Sequence, residues 1–224
     1  MNHTLRTTKR LMLYVVGLFL LALGSTFSII ADIGVSPVTS LAYALALTTG
    51  LSVGIMTVVA NFIYILFQAV FLKHIQWKNF SIQLIITFLF GSFMDVTIWL
   101  TKPLPDADSI WLILLYFVLS LILVAFALLF YFTAGLPTMP YDSLTHVIAN
   151  KWNLPFGKAK IMSDMINVVV SLIICLVFIH SFGAIGIGTF IAAYGIGKIV
   201  GVLLKHVQPG LKAWVLKEKE EEND

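Results

Sequence analysis

Hydrophobic positions along this chain fall in long unbroken runs, without the alternation of half-buried strands. Six runs, about 11–31, 52–72, 80–101, 109–134, 161–180 and 184–204, reach the roughly 20 residues that carry an α-helix across a hydrocarbon core of about 30 Å. Runs of this kind disfavour a membrane β-barrel, whose strands read as alternating segments of about ten residues. Two shorter helices are predicted over 37–49 and 140–151. Each opens on a proline, Pro37 and Pro140, which suits a first helical turn because that N–H has no partner within the helix. The second carries Asp142, His146, Asn150 and Lys151, too polar and too brief to cross lipid. The first is more apolar, and taken alone it reads equally as a span or as a re-entrant segment.

An internal comparison decides between those two readings. A shift of 103 residues places Ala31 on Ala134, Pro37 on Pro140, Ser40 on Ser143, Leu41 on Leu144, Ala46 on Ala149, Leu51 on Leu154 and Gly54 on Gly157. Asn61, Tyr64 and Gln68 fall on Asp164, Asn167 and Ser171. Each trio has i, i+3, i+7 spacing and so lies along one helical face. The expected architecture is therefore an all-α integral membrane protein of six spans and two short broken or re-entrant helices. It is organised as two repeats, 1–103 and 104–207, followed by a charged tail over 208–224. With three spans in each half, the second half enters the membrane upside down relative to the first, an inverted-topology repeat.

Charge agrees with six spans. With the N-terminus inside, Arg6, Lys9, Arg10, Lys73, Lys78, Lys151, Lys158, Lys160, Lys205, Lys212, Lys217 and Lys219 all face the cytoplasm. Lys102 faces outward beside Asp106 and Asp108, as the positive-inside rule asks. An eight-span arrangement scores nearly as well but leaves Lys73 and Lys78 outside. Arg6, Lys9 and Arg10 before an apolar run resemble a signal peptide, yet the run is long enough to span, and it is read as a retained first helix. Both termini are then cytoplasmic.

Composition narrows the chemistry. The chain is 59% hydrophobic and 11% charged, with a mean hydropathy of +0.98, against roughly 25% charged residues in soluble domains. A net charge of +3 without a basic patch gives no sign of nucleic acid. Cys175 is the one cysteine, so there is no internal disulfide, and no metal cluster or cofactor is expected. No phosphate-binding G-x-x-x-x-G-K-[ST] loop, H-E-x-x-H or G-x-S-x-G motif occurs, and no catalytic residue is expected.

The remaining candidates are polar groups within apolar segments, which are costly in lipid and usually face a bundle interior or water. Asn61, Tyr64 and Gln68, and Asp164, Asn167 and Ser171, read either as walls of a solute-binding cavity or as interhelical hydrogen bonding. Asp95 and Lys198 are equivalent under the shift and of opposite charge. A depth difference on the order of 10 Å favours separate contacts over a direct pair. Around the prolines, Ser36, Thr39 and Ser40, and Thr138, Asp142 and Ser143, read as an anion site at a helix start or as simple caps. Asp142 and His146, four apart, are weak evidence for a metal or a proton relay. Gly195, Gly197 and Gly201 suit close helix packing.

At "ADIGVSPVTSL…GLSVG" and "AGLPTMPYDSL…LPFG" the chain resembles bacterial YczE/YyaS/YitT-type membrane proteins over nearly its whole length. The resemblance implies a multispan inner-membrane protein of mostly undetermined activity, with transport the usual guess. The chain departs from it at Val38-Thr39, where an aromatic-acidic pair such as Tyr141-Asp142 is expected. The function anticipated is a transporter or solute-binding membrane subunit for a small solute. Its partners are the bilayer, a small molecule, and a second copy or a separate energising subunit. The alternatives are an intramembrane enzyme of unknown reaction and a scaffold or assembly factor without substrate.

Overall fold

A computed structural model describes residues 3–72 and 77–216. Lys73, Lys217 and Lys219, counted in the charge pattern above, lie outside them. The described residues form helices α1 (His3–Ile30), α2 (Pro37–Thr49), α3 (Val53–Leu72), α4 (Trp77–Thr101), α5 (Ile110–Thr133), α6 (Pro140–Lys151), α7 (Phe156–Phe178), α8 (Ile187–His206) and α9 (Gln208–Leu216). Six of them, α1 from Arg6 onward, α3, α4, α5, α7 and α8, are long and apolar enough to cross a membrane. The chain is a multi-pass membrane protein. Trp77 and Trp99, both exposed, sit near opposite ends of α4. Their separation of 22 residues along a helix is about 33 Å, the spacing expected of tryptophans at two membrane surfaces.

Both short helices have the bounds expected of them. A left-handed Gly50 ends α2, its N–H bonded to the Ala46 carbonyl at 2.8 Å. The same backbone conformation recurs 103 residues on, at Asn153, just after α6. It also recurs at Asp32 and Gly135, which precede the two short helices. Asparagine and aspartate tolerate this region better than most side chains.

The packing has a matching regularity. Helix α1 lies on α5, and each of the two carries the last span of its own half, α1 with α4 and α5 with α8. Helix α2 packs on α7 while α6 packs on α3, so each short helix is seated on a span of the other half. Leu18, Leu21, Ala22, Val124, Ala125, Leu128 and Tyr131 fill the buried seam at α1 and α5. Apolar contact gives no net driving force against lipid, so this seam depends on close backbone approach. Gly17 and Gly24, one heptad apart, supply it: a methyl on Gly17 would stand 2.8 Å from the Tyr131 backbone nitrogen, and one on Gly24 would stand 2.9 Å from Val124.

Two expectations change. Residues 208–216, assigned to a charged tail, instead form α9, which packs on α8, α1 and α5. Leu211 and Val215 give it an apolar side, Val215 is buried, and Lys9 sits 4.8 Å above the Trp214 ring. Of the three glycines of α8, Gly197 packs against Gly157 and Ile161, and Gly201 touches Gly157, but Gly195 faces open space.

Gly17→Ala is expected to destabilise the protein by about 1–3 kcal/mol, because the atoms opposing the new methyl are backbone. Gly195→Ala should be neutral or stabilising by up to about 1 kcal/mol. Thermal unfolding of the two variants in the same detergent checks the contrast.

Candidate functional site

Where the chain breaks, its backbone amides and carbonyls need partners. At the first junction, the Ser36 amide donates to Ser28 Oγ at 2.7 Å, the Val35 amide to the Ala184 carbonyl at 3.0 Å, and the Gly188 amide to the Ile33 carbonyl at 2.8 Å. At the second, Arg10 donates to the Ala134 and Gly135 carbonyls at 2.7 and 2.5 Å, Tyr14 to the Pro137 carbonyl at 2.6 Å, and the Met139 amide to the Tyr131 hydroxyl at 2.5 Å. Arg10, Tyr14 and Tyr131 were not singled out in the sequence. Their only signal is a polar or phenolic group on otherwise apolar helices.

The paired polar stripes meet between the short helices. Tyr64 donates to Asn167 Oδ1 at 2.6 Å, a bond between positions 103 residues apart. Asn167 donates onward to the Pro37 carbonyl at 2.6 Å and to Ser40 Oγ at 3.1 Å, and Ser171 donates to Ser40 Oγ at 3.1 Å. In the mirror relation, Gln68 donates to the Pro140 carbonyl at 2.9 Å. Gln68 also forms a reciprocal amide pair with Gln83 at 3.1 Å each way, and Gln83 reaches Ser143 Oγ at 3.1 Å. Ser143 in turn lies 2.6 Å from Thr138 Oγ1. Each proline-led helix start is thus held by a span of the other half. Asn61 donates to its own helix, at Thr57, and its Oδ1 has no hydrogen-bond partner. Most of the stripes therefore make interhelical bonds, and Tyr64 and Asn167 also border a cleft.

Ser36 is the N-cap residue of α2, and Met139 that of α6, and neither makes a side-chain cap. Asp142, third residue of α6, places the chain's own carboxylate in the first turn, where the helix dipole favours it.

Around that turn lies a charged cluster. Lys160, counted above as a loop charge, is fully buried in α7 and bonds Asp164 Oδ1 at 2.5 Å. Helix α7 begins five residues before the predicted start at 161, which brings Lys160 inside; its i,i+4 spacing to Asp164 is the signal that was available. The Tyr141 hydroxyl donates to the same Asp164 oxygen, and the Lys160 ammonium stands 4.5 Å from the Tyr141 ring centroid. Asp142 is fully buried within electrostatic reach of Lys160, Asp164 and Tyr131, yet neither of its oxygens is in a hydrogen bond of normal geometry, nor is Asp164 Oδ2. His146 does not pair with Asp142; it packs between the Phe132 and Phe156 rings, at 5.6 and 4.4 Å. No grouping of metal-ligating side chains occurs among the described residues.

Asp95 and Lys198 make separate contacts. Asp95, exposed on α4, accepts from Ser52 Oγ and the Gly54 amide, both at 2.9 Å, and so caps the start of α3. Lys198 is exposed, 5.4 Å from the Tyr194 ring centroid.

A cleft of about 430 Å³ lies among α2, α3, α6 and α7. Leu41, Leu45, Ile63, Leu144, Met162 and Ile174 form apolar walls, and Tyr64, Tyr141, Ser163 and Asn167 border it with almost none of their polar surface facing it. Phe67, Ile166 and Val170, exposed residues of two spans, also line it, so it opens toward the side where lipid lies. The cavity expected from the sequence was polar; this one is mostly apolar because the polar stripes bond to each other.

Replacing Lys160 by Met leaves buried carboxylates unpaired and is expected to cost about 3–5 kcal/mol. Combining Lys160→Met with Asp164→Leu should recover most of that loss. Thermal unfolding of the single and double variants in detergent measures both.

The comparisons agree with this architecture. The chain is similar to the Bacillus subtilis (strain 168) Uncharacterized protein YyaS, at 26% identity over 197 residues, covering 88% of this chain and 93% of the relative. No solved structure matches it. A family of unknown function, DUF6198, matches residues 8–205. Six spans, two proline-led short helices and this match along nearly the whole chain identify it as a multispan membrane protein belonging to the DUF6198 family and homologous to YyaS.

Proposed function

We propose that this chain is a transporter or solute-binding membrane subunit for a small, mostly apolar molecule. The observation that carries the reading is the cleft between the two halves, whose surface is almost wholly apolar because the polar groups of Tyr64, Tyr141 and Asn167 at its border are turned to other protein atoms. Pockets for small ligands are lined predominantly by apolar side chains. The solute enters from the bilayer side, past Phe67, Ile166 and Val170. The chain has no nucleotide-binding loop of its own, so any ATP-driven version requires a separate subunit.

The two halves, 1–103 and 104–207, are inverted repeats with both termini in the cytoplasm. Three observations support this. Exchanging the halves maps α2 on α7 onto α6 on α3. Two pairs of left-handed residues, Asp32 with Gly135 and Gly50 with Asn153, stand at the offset of the repeat. Tyr64 and Asn167, equivalent under that offset, bond to each other, as residues beside a two-fold axis would. Binding sites in transporters of this construction commonly sit where the repeats meet.

Two measurements test the reading. Single cysteines placed at Leu51 and at Asn153 are expected to react with an impermeant thiol reagent from opposite faces of sealed membranes; reaction from the same face rejects the inverted arrangement. Native mass spectrometry of protein extracted in lipid nanodiscs is expected to find a bound small molecule that Val170→Trp, which fills the cleft, displaces without loss of folded protein. Phospholipid alone, in wild type and variant alike, removes the solute reading and favours a scaffold.

A further inference from the structure

We propose that Asp142, beside the Lys160–Asp164 pair, is a proton-binding site that loads and unloads within the folded protein.

Charge bookkeeping comes first. Asp142, Lys160 and Asp164 are all fully buried. With both carboxylates ionised and the ammonium protonated, the cluster carries one net negative charge inside the helix bundle. An isolated buried charge is among the most costly features a fold can hold, so the cluster calls for one more proton or cation.

The neighbouring elements supply no such cation. On α1, Arg10 is engaged by the Ala134 and Gly135 carbonyls, and Tyr14 by the Pro137 carbonyl. On α5, Tyr131 brings a hydroxyl and no cation. Helix α3 brings Tyr64 and Gln68, and α4 brings Gln83, all uncharged and hydrogen-bonded. On α6 itself, Tyr141 donates to Asp164, Lys151 is exposed over the Phe71 and Trp152 rings, and burial lowers the pKa of His146, which favours its neutral form. On α7, Lys158 is exposed and Lys160 is paired with Asp164.

The unpartnered atoms say where the proton goes. Asp164 Oδ1 already takes two donors, from Lys160 and Tyr141. Both oxygens of Asp142 lack one. A neutral carboxylic acid is the state that environment suits. Burial pushes the Asp142 carboxyl up to about 6, with Lys160 opposing the rise, the Asp164 charge adding to it and the Tyr131 hydroxyl opposing it. A metal cation fits less well, because the Lys160 ammonium would repel it. Tyr141 lines the cleft and bonds Asp164, so the cluster lies one hydroxyl away from the proposed solute path. The proton site stands whether or not that cleft carries a solute.

Infrared difference spectroscopy on the purified full chain in nanodiscs, stepped between about pH 4 and pH 8, tests the proposal. A buried carboxylic-acid band is expected to be lost as pH rises through about 6, and to be missing in Asp142→Asn. Since the folded chain holds this proton more tightly than the unfolded chain, the contribution to stability is fully present below about pH 4 and is lost as pH rises through about 6. The wild-type melting temperature should therefore fall relative to Asp142→Asn across that window. If Asp142→Asn does not fold, Asp142→Glu provides the readout as a displaced acid band. A band retained in Asp142→Asn, no band in wild type at the acid end, or a band or melting shift driven by sodium at constant pH overturns the proposal.

Discussion

The structure is organised around the hydrogen-bonding demand of two stretches of non-helical backbone inside an apolar bundle. Lipid supplies neither donors nor acceptors, so such stretches persist only where protein satisfies them. Here the first is met largely by other backbone, at Ala184 and Gly188, and the second largely by side chains, Arg10, Tyr14 and Tyr131. Those side chains sit on α1 and α5. The close seam between these two helices is therefore a precondition for the second break as well as a packing feature, and α6, with the Asp142 it carries, depends on it.

The fold was legible because its signals are local and strong. Continuous apolar runs mark the spans, and Pro37, Pro140 and Gly50 punctuate the short helices in ways that backbone geometry dictates. The site was legible only in part. The spacing of Asn61, Tyr64 and Gln68, and of Asp164, Asn167 and Ser171, placed each trio on one face, and those faces are indeed buried. What they bond to depends on which helices cross and at what height, and no single stretch of chain encodes that. Lys160 was misplaced by the same logic: a lysine near a predicted span end reads as solvated until the helix is seen to begin a turn and a half earlier. Leu211, Trp214 and Val215 marked an apolar side for α9, but the charge run beyond them dominated the reading of that segment.

The halves are alike in outline and unlike in charge. The positions equivalent to Asp142, Lys160 and Asp164 are Thr39, Thr57 and Asn61. Thr39 and Thr57 bond back to the carbonyls of Ser36 and Val53, and Asn61 bonds to its own helix. At these three positions the first half carries neutral groups that donate to nearby backbone, while their counterparts in the second half form one charged cluster. Among the described residues, the buried charged side chains are all on α6 and α7.

The Tyr64–Asn167 bond bridges two helices that otherwise flank an apolar gap. Interhelical hydrogen bonds within membranes average about 0.6 kcal/mol, comparable to thermal energy at room temperature. This contact is a weak latch added to sturdier joinery: α1 and α5 meet backbone to backbone, whereas α3 and α7 are held apart by α2 and α6, each of which packs on both of them.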